Sequence, residues 1–360
     1  MKLDFPRSEP TLMKGNEAMA EAALRAGMDA YFGYPITPQS EVMEYLMIHG
    51  PKRGSVILQA ESEVAAINMI YGAAGAGARV MITSSSPGIS LMQEGLSYIA
   101  SAQLPCLVAN VQRGGPGLGT IQPAQSDYFQ AVKGGGHGDY RLIVLAPSSV
   151  QEMSDFVVEG FRLAEEYRNP VMILTDGALG QMMESVQLPE PGCLAKHIPA
   201  WATRGKTPDR ERNIITSLFI QPEKMEQINL DLQSKYQRAQ QEAAAETFHT
   251  DDAEIVLVAF GLASRICQKV VEMARERGIA AGLVRPITLF PYPSEVITSI
   301  AERAQRFLVV EMNAGQMVED VRLAVNGKRP VDFKGRMGGI IPTPEEILVE
   351  VERLMITVEA

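Results

Sequence analysis

The sequence predicts an α/β fold: a doubly wound parallel sheet followed by a second, smaller α/β unit. Three observations carry this. Short β-rich runs alternate with helical patterns from Gly15 to about Gly180. The runs read as continuous apolar stretches, the pattern of parallel strands buried on both faces. The alternation breaks off at Leu188, crosses an irregular stretch, and resumes at Ala253. The expected division is residues 1–190, a linker with an amphipathic helix over 191–250, and 251–360.

In chain order, the expected strands of the first unit are residues 30–34, 55–59, 79–83, 106–112, 141–146 and 171–175. Helices are expected at 16–26, 39–48, 61–76, 88–102 and 149–167. In the last of these, Ser148 or Ser149 supplies a cap, and Met153, Phe156, Val157, Phe161 and Leu163 mark an apolar face. Pro189, Pro191, Gly192, Pro199 and Gly205 then mark irregular chain. Residues 222–247 are polar, with Met225, Ile228, Leu232 and Tyr236 at helical spacing, and read as an amphipathic helix lying on a neighbour. In the second unit, strands are expected at 254–260, 282–285 and 307–310. Helices are expected at 263–277 and around 315–325 and 343–356.

The chain of 360 residues is long enough for two or three domains and a large core. It carries a formal net charge of −10 and no run of Lys or Arg, which argues against nucleic acid as the main partner. No apolar run reaches the roughly 18–20 residues of a membrane helix. The start, Met1-Lys2-Leu3-Asp4-Phe5-Pro6, has no signal-peptide core, so a cytoplasmic location is expected. The three cysteines, Cys106, Cys193 and Cys267, are too few and too far apart for a disulfide framework, a zinc site or an iron–sulfur cluster. Any electron-transferring metal is therefore expected on another chain.

Four segments stand where strands give way to turns or helices. In Phe32-Gly33-Tyr34-Pro35-Ile36-Thr37-Pro38, two prolines flank Ile36 and Thr37 and stiffen a turn that presents a hydroxyl and backbone N–H groups. The carboxyl ends of strands are where open α/β sheets hold ligands. In Glu61-Ser62-Glu63, two carboxylates open an Ala- and Gly-rich helix. They serve either to offset the helix dipole, or, if one points into an apolar cleft, to hold or donate a proton there. Thr83-Ser84-Ser85-Ser86-Pro87-Gly88 is either an ordinary capped turn or an anion cradle. In Val111-Gln112-Arg113-Gly114-Gly115-Pro116-Gly117, an arginine enters a glycine-rich, mobile loop, where it makes a surface ion pair or takes a carboxylate bidentately. A further glycine-rich stretch, Lys133-Gly134-Gly135-Gly136-His137-Gly138, surrounds one of four histidines and offers no metal set. No Walker lysine loop, GxGxxG turn or GxSxG elbow occurs. The Gly-Asp-Gly…Asn pattern that holds a diphosphate through a divalent metal is also missing, Thr175-Asp176-Gly177 being the nearest approach.

Taken together and in this order, the segments resemble the α subunit of the 2-oxoacid:ferredoxin oxidoreductases, over nearly the whole chain. Tyr34-Pro35-Ile36-Thr37-Pro38, Glu61-Ser62-Glu63 and Val111-Gln112-Arg113-Gly114-Gly115-Pro116 match that family's substrate turn, aminopyrimidine segment and arginine segment. Arg285-Pro286-Ile287-Thr288-Leu289-Phe290-Pro291 matches the start of its transketolase C-terminal-like domain. Within the family, the chain looks most like the branched-chain (2-oxoisovalerate) type, with the 2-oxoglutarate type close by. It departs at Ser86, where glycine commonly precedes Pro-Gly; a position needing positive φ would be strained by serine.

The resemblance implies a thiamine-diphosphate pyrimidine-binding domain, then a transketolase C-terminal-like domain. It implies an enzyme that oxidatively decarboxylates a 2-oxoacid to acyl-CoA and CO2. Glu63 would hydrogen-bond the pyrimidine ring, with Pro35 and Ile36 beside the cofactor, and Thr37 and Arg113 would hold the oxoacid carboxylate. Thiamine diphosphate would be shared with a β chain carrying the diphosphate–Mg²⁺ site and [4Fe–4S] clusters, alongside γ and ferredoxin-like δ chains. CoA would be the co-substrate and ferredoxin the acceptor. Two rivals remain open: 2-oxoglutarate as substrate, for which Lys133 and His137 are the nearby basic groups, and a non-catalytic scaffold chain.

Overall fold

A computed structural model describes residues 5–356. The N-terminal residues 1–4, on which part of the expectation about a leader falls, lie outside the described residues. The strands are β1 Thr11–Lys14, β2 Ala30–Gly33, β3 Val56–Gln59, β4 Val80–Ser84, β5 Cys106–Gln112, β6 Ile143–Leu145, β7 Pro170–Asp176 and β8 Met183–Val186. They continue with β9 Ala245–Phe248, β10 Ile255–Val258, β11 Ala281–Pro286, β12 Thr288–Phe290, β13 Arg306–Glu311 and β14 Val331–Gly335.

The first sheet has seven strands in the order β12-β6-β7-β5-β4-β2-β3. All its neighbours run parallel except β12, which pairs antiparallel with β6. Its central strands β5 and β7 are buried at every position, which explains their unbroken apolar runs. Alternate residues serve opposite faces. Met81, Leu107, Ala109 and Val111 pack with Met19, Leu46, Val157 and Phe161, from helices Gly15–Arg25, Ser40–His49 and Val150–Tyr167. Val80, Ile82 and Val108 pack with Ile67, Ile70, Leu96 and Ile99, from helices Glu63–Gly75 and Gln93–Ser101. This is the doubly wound architecture expected. β1 and β8 form a separate antiparallel pair.

The second sheet has five strands, β14-β13-β10-β11-β9, parallel except for β9. Helices Gly261–Glu276 and Pro344–Ile356 cover one face, and Ser294–Ala301 and Met317–Val325 cover the other. Among the described residues, no helix is long and apolar enough to cross a membrane.

Several elements differ from expectation. The helix expected over 88–102 is two, Ser86–Leu91 and Gln93–Ser101, interrupted at Met92. The helix expected over 222–247 stops at Ala239, and Ala245–Phe248 instead becomes an edge strand on β11. Pairing with a sheet edge outweighs helix propensity there. β12 leaves the second half of the chain to complete the first sheet.

Candidate active site

Four turns meet at the carboxyl ends of β5, β4, β2 and β3, neighbours in that order. After β2, the turn over residues 34–38 exposes Tyr34, Pro35 and Thr37 and half-buries Ile36. Its shape rests on buried amides beneath it. Gln39 Nε2 donates to the Tyr34 carbonyl (3.1 Å), and Asn16 Nδ2 donates to the Pro38 carbonyl (2.8 Å). Gln39 Oε1 accepts from Thr83 Oγ1 (2.5 Å), itself 2.8 Å from the hydroxyl of Tyr31. Burial raises the pKa of that phenol, so it stays neutral.

After β3, the two carboxylates part company. Glu61 is exposed, whereas Glu63 is buried at the first position of its helix. Ser62 caps that helix, its Oγ accepting from Ala65 N–H (3.2 Å). Glu63 Oε1 accepts from Ser84 Oγ (3.2 Å), and no other donor among the described residues reaches the carboxylate. Gly88 makes room for this group. A Cβ there would lie 2.2 Å from Glu63 Oε1 and 2.0 Å from Ser84 Oγ.

After β5, Arg113 is only 9% exposed, not afloat in a mobile loop. Its Nη1 donates to the Thr37 carbonyl (2.9 Å) and its Nη2 to the Leu118 carbonyl (3.0 Å), while its Nε is buried without a partner. Among the described residues, no carboxylate pairs with it. The loop closes over it because glycines let backbone meet backbone. Gly119 has φ +60°, and a Cβ there would fall 1.7 Å from the Gly114 carbonyl oxygen. Gly339, from the second half, packs against Gln122, where a Cβ would lie 2.5 Å from the Gln122 Cβ.

Ser86 is not strained: its backbone lies outside the left-handed region, at the first position of helix Ser86–Leu91. Its Oγ lies 2.6 Å from Asp127 Oδ2 and 3.1 Å from the Arg113 amide nitrogen. Asn110 Nδ2 also donates to Asp127 Oδ2 (2.9 Å). Burial raises the Asp127 pKa, opposed by these two hydrogen bonds. Asp127 escaped the sequence reading, although the serine at Ser86 signalled that something there differed.

The structure thus brings Thr37 and Arg113 into contact, though through the Thr37 carbonyl and not its hydroxyl. Ser84 and Ser86, two residues apart, tie Glu63 and Arg113 to the same turn. The further glycine-rich stretch around His137 is engaged elsewhere. Lys133 pairs with Asp320, and the His137 carbonyl accepts from Ser97 Oγ (2.7 Å). Asp176 is a helix cap, accepting from the N–H groups of Ala178 (2.9 Å) and Leu179 (3.2 Å). Among the described residues, no group of three or more His, Cys, Asp or Glu could hold a metal.

Comparison with known proteins gives a consistent picture. The family model for the thiamine-diphosphate-binding part of pyruvate flavodoxin/ferredoxin oxidoreductases matches residues 21–251. The model for pyruvate:ferredoxin oxidoreductase core domain II matches residues 253–347. Ketoisovalerate oxidoreductase subunit VorB of Methanothermobacter thermautotrophicus is 50% identical, over 95% of this chain and 97% of the relative. The 2-oxoglutarate synthase subunit KorA of the same organism is 37% identical, over 95% and 98%. Among solved structures, the 2-oxoglutarate:ferredoxin oxidoreductase of Magnetococcus marinus superposes with a TM-score of 0.86 at 28% identity. That match covers 96% of this chain and 65% of the longer one. A split-gene transketolase (TM-score 0.60, 14% identity) shares the fold.

Proposed function

Since this chain belongs to the 2-oxoacid:ferredoxin oxidoreductase family, as one subunit of a multi-subunit thiamine-diphosphate enzyme, we propose that it contributes the pyrimidine-facing half of a site that decarboxylates 3-methyl-2-oxobutanoate (2-oxoisovalerate) oxidatively to acyl-CoA and CO2. The observation that carries this is the Glu63 carboxylate, buried yet holding a single protein hydrogen bond. The residues fit the cofactor. Glu63 has acceptor capacity to spare for a ring N–H, and Gly88 leaves open the space a side chain would fill. Pro35 and Ile36 belong to the turn that follows β2, the strand next to β3. When bound, thiamine diphosphate supplies an electron sink for loss of the carboxylate. Glu63 holds a proton at the pyrimidine ring. Arg113, uncompensated and with Nε unpartnered, binds the oxoacid carboxylate beside Thr37. That carboxylate leaves as CO2, so Arg113 acts in orienting it; tight ground-state binding alone would not speed the step.

The diphosphate–Mg²⁺ site and the [4Fe–4S] clusters are assigned to a partner β chain, with ferredoxin as acceptor and CoA as acyl acceptor. Supporting this, Cys106 and Cys267 are buried thiols whose pKa burial raises, that of Cys106 to about 12, which disfavours the ligating thiolate. Val56 and Leu58 on β3 and Val64 next to Glu63, all exposed, would face that partner.

A branched aliphatic substrate is favoured by the surroundings of Arg113. Leu118 and Ile121 stand exposed on its loop, and Lys133, one of the two basic groups considered for a distal carboxylate, is paired with Asp320. The second reading, 2-oxoglutarate, draws on the relatives named for it. The test is dye reduction by the co-purified complex, supplied with thiamine diphosphate, Mg²⁺ and CoA. The panel is 2-oxoisovalerate, 2-oxoglutarate, pyruvate and an aryl pyruvate. CoA-dependent reduction is expected with 2-oxoisovalerate. Preference for 2-oxoglutarate would replace the substrate, and no reduction with any acid by an iron–sulfur-loaded complex would favour a scaffold.

A further inference from the structure

We infer that Ser86 and Asp127 are positioning residues that set where the Arg113 guanidinium stands. A hydroxyl has one proton to give and lone pairs to accept with. Ser86 Oγ has three neighbours within reach: Asp127 Oδ2 at 2.6 Å, the Arg113 N–H at 3.1 Å and the Arg113 carbonyl at 3.2 Å. The short contact to a carboxylate is where the proton goes, since charge-assisted bonds are the shorter and stronger. The hydroxyl then accepts from the Arg113 N–H, and its orientation is fixed from both sides. Arg113 is thereby held at its backbone as well as at its tip, where Nη1 meets the Thr37 carbonyl.

Asp127 is itself anchored. Its own N–H donates to Gln112 Oε1 (3.0 Å), and Asn110, fully buried, donates to its carboxylate. Two residues before it, Gln125 exchanges hydrogen bonds with Met312: its N–H donates to the Met312 carbonyl (3.0 Å), and its Oε1 accepts from the Met312 N–H (3.1 Å). Gln316 Nε2 donates to the Ser126 carbonyl (2.8 Å). The segment carrying Asp127 is thus pinned to the second sheet, and Ser86 passes that fixed reference to the arginine.

This inference rests on the reading that Arg113 binds the oxoacid carboxylate. The test uses the assembled holoenzyme with S86A, S86T, D127N and R113A. S86A and D127N should raise the oxoacid KM roughly fivefold to tenfold, with the CoA KM unchanged and the melting temperature lowered by only a few degrees. S86T, which keeps the hydroxyl, should restore the wild-type oxoacid KM. An unchanged oxoacid KM in S86A while R113A raises it would overturn the positioning role. So would a loss in S86A that appears equally in the CoA KM. If R113A itself leaves the oxoacid KM unchanged, the carboxylate reading fails. The positioning role is then decided by the structure of the S86A complex: a guanidinium displaced from the Thr37 carbonyl supports it, and an unmoved one ends it.

Discussion

Glu63 and Glu311 are both buried carboxylates beside the start of a helix, yet the protein treats them oppositely. Glu311, at the end of β13, accepts from Asn313 Nδ2 (2.8 Å) and from the N–H groups of Gln316 (3.2 Å), Met317 (2.9 Å) and Val318 (3.0 Å). It fills the amino end of helix Met317–Val325 and satisfies donors the helix leaves unpaired. Among the described residues, Glu63 receives a single hydrogen bond, from Ser84. A saturated carboxylate is part of the framework, whereas a buried one with unused acceptors is poised for a ligand.

The comparison breaks most sharply under substitution. Glu63→Gln in the assembled complex should lower turnover roughly 10²–10⁴-fold while assembly and melting temperature hold. Turnover near wild type would remove Glu63 from the proposed chemistry. Glu311→Ala should do the reverse. Stranding several buried N–H groups should cost about 3–5 kcal/mol in denaturant unfolding. Its effect on turnover per assembled complex should be far smaller than that of Glu63→Gln.

Asp176 sharpens the framework side through pH. Burial holds its carboxyl at about 6, above its ordinary 3.8, against backbone hydrogen bonds from Leu179, Ala178 and Leu262. The folded chain therefore favours the protonated form. That contribution is complete below about pH 3.8 and is lost as pH rises through 6. The stability of the wild type relative to Asp176→Asn should fall by about 2 kcal/mol between pH 4 and 7. A flat difference across that range would give Asp176 an ordinary pKa. On the ligand side, Arg113→Ala should remove a charge-assisted contact worth about 1.5–3 kcal/mol, lowering kcat/KM for the oxoacid roughly 10- to 100-fold. An unaltered profile would move the carboxylate site elsewhere.

The parts of this comparison legible in the sequence are those marked by local pattern. Apolar runs announced β5 and β7, and the turn chemistry of Pro35 and Pro38 announced the site's rim. The resemblance chose Glu63 over Glu61, which spacing alone left open. What escaped was long-range. Ser86 and Asp127 lie 41 residues apart, and no local signal pairs them. Arg113 was expected in a mobile loop because glycines suggest freedom. Here the same glycines permit a tight closure, which only the partner backbone at Gly338 and Gly339 makes evident. Glu311 carried no motif at all.

One strand has a consequence for how the chain is made. β12, at Thr288–Phe290, completes the edge of a sheet whose other six strands lie before residue 177. Emerging from the ribosome, those six strands must wait, with the flank of β6 bare, until more than a hundred further residues have been synthesised. At ordinary elongation speeds of about 5–20 residues per second, that is an interval of several seconds or longer. During it, the nascent first sheet offers an unpaired edge to any passing strand. The finished edge also joins the two halves, so after a cut at residue 250 β12 would be held to the sheet it closes by non-covalent contacts alone.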